Sequence, residues 1–257
     1  MKAKWRIGLI AASLGAVVLL GFSLRPQPDS ASPQMSAAPG AKPAVSEHLD
    51  TPALKSLSRA GAFREHSILP PADLIKVGLR HYQAGRIDLA LDVLVKGSQR
   101  YPDNALLHSV LSSLYMHEKN WSAALQQVEE ALRINPESVQ DLTNRAQIYT
   151  RFARHTDALH DLDAAIAKNP TYLAAYYNRG SLEFNLKEYA RALADFNKCI
   201  ELAPRESMPI FNKAMTLWAL QRTAEARATL QEFIDVTDKP QWKEQALRYL
   251  AKWQQDV

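Results

Sequence analysis

The chain reads "ALRINPES" from Ala131 to Ser138, and 34 residues later it reads "AIAKNPTY" from Ala165 to Tyr172. A further 34 residues bring "CIELAPRE", Cys199 to Glu206, and one period upstream lies "GSQRYPDN", Gly97 to Asn104. Each segment stops at a proline. Proline cannot donate to a helix and pushes the residue before it out of helical geometry, so each copy marks a helix end.

With units starting at residues 71, 105, 139, 173 and 207, the eighth position is Gly78, Ser112, Ala146, Gly180 and Ala214, always small. The twentieth is alanine in all five: Ala90, Ala124, Ala158, Ala192 and Ala226. The twenty-fourth is large and apolar: Leu94, Val128, Leu162, Phe196 and Leu230. Small residues let two helices approach closely where their ridges cross, and the large one fills the space between neighbours. The stretches "QAGRID" (83–88), "HEKNWS" (117–122) and "NLKEYA" (185–190) read as turns. Each unit is therefore expected to be two short helices, and the chain all-α.

This pattern resembles the tetratricopeptide repeat, whose period is 34; "YNRGSLEFNLKEYARALADFNKCIELAP" (177–204) is the nearest unit. The resemblance implies a right-handed α-solenoid of five helix-turn-helix units, 71–104, 105–138, 139–172, 173–206 and 207–240, with the first helix of each lining a concave groove. Position eleven, usually aromatic, is His81 in the first unit and Glu183 in the fourth. The fifth unit replaces the small residue at position 27 by Phe233 and the proline at position 32 by Asp238, as an end unit would. The tail, 241–257, is then a capping helix, with Trp242, Leu247 and Leu250 expected to face the last unit.

In this family, positions 2, 5, 6, 9, 12 and 13 face the groove. Position six places Asn144, Asn178 and Asn212 in a row, whose amides could hold an extended peptide backbone. Tyr177 and Phe211 stand at position five; Tyr82, Phe184 and Trp218 stand at position twelve. These aromatics are either partner contacts or packing against the adjacent unit and the cap. Arg145, Arg179 and Lys213, at position seven, read as solvated or interhelical. The carboxylate clamp of some relatives is missing, since the first three units offer Ile75, Leu79, Val110, Gln140 and Asn144 at its positions.

The amino terminus is of another kind. Lys2, Lys4 and Arg6 precede 18 uncharged residues, Ile7 to Leu24, and Arg25 ends the run. As a helix this spans about 27 Å, the thickness of a hydrocarbon core. Residues 1–25 are read as a single transmembrane signal anchor, with a cleaved signal as the alternative. The basic bias keeps the amino terminus inside, so the rest of the chain is expected in the periplasm of a bacterium, anchored to its inner membrane; a cytoplasmic-facing domain is the other orientation. Residues 26–70, rich in proline, alanine and serine, read as a linker.

Residues 1–70 hold eight Lys/Arg against four Asp/Glu, and residues 71–257 hold 23 of each. A neutral repeat region argues against nucleic acid as a partner. The seven histidines lack metal-site spacing, no phosphate-binding or nucleophile motif occurs, and Cys199 fills a slot where sister units have alanine or glycine. No cofactor, metal or catalytic residue is expected. The reading is a membrane-tethered scaffold that binds a protein or peptide in its groove, in envelope assembly, secretion or cytochrome maturation. A self-associating structural solenoid and a soluble periplasmic adaptor are the rivals.

Overall fold

The computed structural model describes residues 69–255. The expected anchor over 1–25 and nearly all of the 26–70 linker lie outside the described residues. Among the described residues there are eleven helices and no strands: α1 Pro71–Gln83, α2 Ile87–Arg100, α3 Ala105–His117, α4 Trp121–Ile134, α5 Val139–Arg151, α6 His155–Lys168, α7 Leu173–Asn185, α8 Tyr189–Leu202, α9 Ser207–Ala219, α10 Thr223–Val236 and α11 Pro240–Gln255. No helix among them is long and apolar enough to cross a membrane. The chain forms two compact units that divide between Ile148 and Tyr149, within α5.

The turn inside every helix pair is three residues long and built the same way. Its middle residue is left-handed: Gly85 (φ 72°), Lys119 (59°), Ala153 (56°), Lys187 (64°) and Gln221 (61°). The next N–H reaches back over the turn, from Arg86 to His81 O (2.9 Å), Asn120 to Tyr115 O (2.8 Å), Arg154 to Tyr149 O (2.9 Å), Glu188 to Glu183 O (2.8 Å) and Arg222 to Leu217 O (2.9 Å). This is the Schellman closure, which satisfies carbonyls left open at a helix end. Glycine suits its left-handed position best, yet four of the five carry a side chain there. At the ends of the second and third pairs the residue before proline is asparagine. Asn135 Oδ1 accepts from Glu137 N at 3.3 Å and Asn169 Oδ1 from Thr171 N at 3.0 Å, which turns the chain into the next helix.

In the first unit, Ile75, Leu94, Leu107, Leu111 and Leu114 form the core. Gly78 lies so close to α2 that a Cβ there would meet Leu94 Cγ at 2.6 Å. At the same position of the next pair, Ser112 Oγ donates to Ala124 O at 2.9 Å. The second unit has larger centres, Phe196, Phe233, Leu230 and Ile210. All five alanines at position twenty are fully buried, and the large residues at position 24 are at most 1% exposed. A fully buried side chain of that size contributes roughly 1.5–3 kcal/mol.

α11 covers the last helix pair as a cap. Trp253 is buried and stacks on Trp218, with ring centroids 4.3 Å apart and planes 4° from parallel. Phe211 is ringed by Phe233 (5.1 Å), Tyr249 (6.1 Å) and Trp242 (6.3 Å). Phe233, where the other units carry a small residue, packs on Phe211 beneath this aromatic cap. The expected inward face needs one correction: Leu247 is 47% exposed. Trp242, Ala246, Tyr249, Leu250 and Trp253 form the apolar stripe at helical spacing, and Leu247 is about 100° away from Ala246 around the helix.

The left-handed turns give a direct test. Ala153→Gly is expected to stabilise the chain by about 0.5–1 kcal/mol and Gly85→Ala to destabilise it by about 1 kcal/mol, measured by urea unfolding. Equal midpoints for both variants and the parent would contradict the turn geometry.

Candidate functional site

In the first unit, Tyr82 is half-buried and meets His117 edge-on at 5.3 Å. Burial, and then the nearby Glu118 carboxylate, push its phenol up to about 12. Asn144 is 2% exposed, and its Nδ2 has no hydrogen-bond partner. One turn earlier on α5, the buried Asp141 accepts from Ser109 Oγ at 2.7 Å and Ser138 Oγ at 2.6 Å through Oδ2. Burial raises its carboxyl above the usual aspartate range, and the two hydroxyls only partly offset this.

In the second unit the candidates separate. Asn212 is 1% exposed and donates from Nδ2 to Tyr177 Oη at 2.9 Å, so the asparagine at position six of α9 locks the tyrosine at position five of α7. Tyr177 is also edge-on to Phe196 at 6.1 Å, and burial pushes its phenol upward. Phe184 is buried against Tyr189 at 5.3 Å. Phe211 lies under the cap, and Trp218 is partly covered by Trp253. Tyr177, Phe184, Phe211 and Asn212 therefore hold the unit together; of the two readings open for the aromatics, packing on neighbours describes them. The reason is steric: Tyr177, at position five, faces Asn212 on the first helix of the following pair, and Phe211, at the same position one repeat later, faces the cap. Asn178 differs. It is half-buried, and its Nδ2 has no partner.

The sequence reading missed a polar cluster on the same helix. Arg179 donates from Nε to Asp195 Oδ2 and from Nη2 to Asp195 Oδ1, both at 2.8 Å, and from Nη1 to Asp163 Oδ1 at 2.6 Å. Its guanidinium also faces the Tyr176 ring at 5.7 Å. Arg179 is thus the interhelical basic residue of the two alternatives, tying α6, α7 and α8 together. The bond to Asp195 raises its pKa further. The carboxylates that meet it are 16 residues away on either side, a spacing that only the helix pairing makes visible.

Cys199 is buried, with Sγ 3.8 Å from Leu173 O, and burial pushes its thiol up to about 12. It is a packing residue, as thiolate chemistry needs a lowered pKa. Among the described residues no group of three metal-ligating side chains comes together.

Residues 81–146 and 173–206 match the tetratricopeptide repeat family. None of the curated proteins matches the chain. Solved structures share its fold. The structure titled "Functional Characterization of Pseudomonas Aeruginosa pilF" is 21% identical, covers 75% of this chain and 86% of its own, and has a TM-score of 0.63. A tetratricopeptide repeat protein from Parabacteroides merdae is 21% identical over 72% of this chain and 73% of its own, with a TM-score of 0.62. MamA from Desulfovibrio magneticus is 14% identical over 66% of this chain and 97% of its own, with a TM-score of 0.60. At these identities the likeness concerns the fold alone. Helix pairs recur every 34 residues through the described region, and those over residues 81–146 and 173–206 match tetratricopeptide repeats.

Proposed function

We propose that the chain is a membrane-tethered scaffold that holds a segment of a partner protein against the first helices of its repeats. The observation that carries this reading is Asn178. It sits on the first helix of a matched repeat, half-buried, with a buried amide nitrogen that nothing in the chain engages. Turned outward by a change of rotamer, that amide would exchange its unsatisfied state for a hydrogen bond to the backbone carbonyl of an extended segment, whatever that segment's sequence. The family supports a protein or peptide as partner. The tether rests on the uncharged run Ile7 to Leu24, and the basic Lys2, Lys4 and Arg6 before it support an orientation with the repeats in the periplasm of a bacterium. Envelope assembly, secretion and cytochrome maturation are the settings that the resemblance suggests. Self-association through the C-terminal end is disfavoured, because α11 buries its aromatic stripe and turns Lys243, Glu244, Arg248 and Lys252 outward.

Protease treatment of intact spheroplasts tests the tether and its direction. A C-terminal tag is expected to be lost without lysis. Loss only after detergent lysis would put the repeats in the cytoplasm.

Two asparagines at the same repeat position should behave differently. Asn178→Ala is expected to weaken partner capture and to leave the unfolding midpoint within about 0.5 kcal/mol of the parent. Asn212→Ala removes the amide that donates to Tyr177 and is expected to cost about 1–2 kcal/mol of stability. Undiminished capture by Asn178→Ala would remove that amide from the mechanism.

A further inference from the structure

The cluster around Arg179 has more negative groups than one guanidinium can serve. Asp195 takes two of its N–H groups and Asp163 a third. Glu183 stands one turn further along α7, on the same face as Arg179. It is 5% exposed, and its Oε2 is buried without a hydrogen-bond partner. A carboxylate left bare in such a place carries a large desolvation cost, whereas a carboxylic acid does not. The groups that face it can be named element by element. From α8 come Asp195, which opposes its charge, and Arg191, which favours it; from α6 comes Asp163, which opposes; from α7 itself comes Arg179, which favours. α9 carries one charged side chain, Lys213, and that side chain acts on Glu225. Arg191 is exposed, so its charge is screened.

We infer that Glu183 is held as the neutral acid in the folded chain and that its ionisation loosens the α6–α7–α8 contact, so that this helix triplet is a pH-sensitive latch tightened by acid. Burial, and after it the Asp195 charge, push the carboxyl up to about 7, from an ordinary 4.5. The folded chain therefore binds this proton more tightly than the unfolded chain. The resulting stabilisation is full below the ordinary glutamate value and is lost as pH rises through the folded one. Asn178 and Tyr177 are on α7, so the latch sets how firmly the proposed partner-facing helix is held. The repeat pattern supports a special role, since Tyr115 and Tyr149 occupy the position of Glu183 in the second and third pairs.

Two measurements on the full chain test this. Urea unfolding is followed for the parent and for Glu183→Gln at several values between about pH 5 and about pH 8. The unfolding constant of the parent, divided by that of the variant, is expected to rise about tenfold or more over this range, since each unit of pH between the unfolded and folded pKa is worth up to about a factor of ten. A ratio that does not change with pH would overturn the latch. If Glu183→Gln does not fold, the side-chain carboxyl carbon of Glu183 in the parent is titrated by NMR. A midpoint near neutrality supports the proposal, and a midpoint in the ordinary glutamate range overturns it.

Discussion

The close crossing of the two helices in each repeat is the constraint on which the rest of the structure depends. At Gly78 a Cβ would drive into Leu94, and at Ser112 the hydroxyl touches the Ala124 carbonyl across the same gap. A side chain added at Gly78 would force Leu94 out of its place. Once the crossing is fixed, the residue at position 24 fills the space behind it, and the turn between helices has only three residues in which to reverse the chain. That short reversal forces a left-handed residue even where the sequence offers Ala153 or Gln221 in place of glycine.

The same geometry decides which polar groups serve the fold and which are left over. Asn212 and Asn178 share a repeat position, yet the first is consumed by Tyr177 and the second is not. Arg179 remains charged at its place between helices because Asp195 and Asp163 arrive from two other helices. The buried Asp195 is matched by the Arg179 guanidinium, with Asp163 at the exposed edge; Glu183 adds a buried carboxyl beside them, and burial, then the Asp195 charge, raise its pKa.

Much of the fold was legible in the sequence because steric rules repeat with the period. The alanines at position twenty, the large residues at position 24 and the prolines are each read without knowing any partner. The cap was legible as a helix but not in phase: Leu247 was taken for an inward residue, while Trp253, which stacks on Trp218, passed unnoticed. The left-handed turn residues gave no signal, as four of the five are not glycine. The candidate site was the least legible part. Whether an aromatic or an asparagine is open or packed depends on side-chain pairs between helices, such as Asn212 with Tyr177 and Phe211 with Tyr249, and these pairs follow no period.

Site-specific photocrosslinking in living cells tests the central claim most directly. A photoreactive residue is placed at Asn178 on α7 and, for comparison, at the exposed Asn197 on α8. The account predicts a discrete protein adduct from position 178 and none from position 197. Adducts from position 197 alone would contradict it and move the partner surface to the second helices.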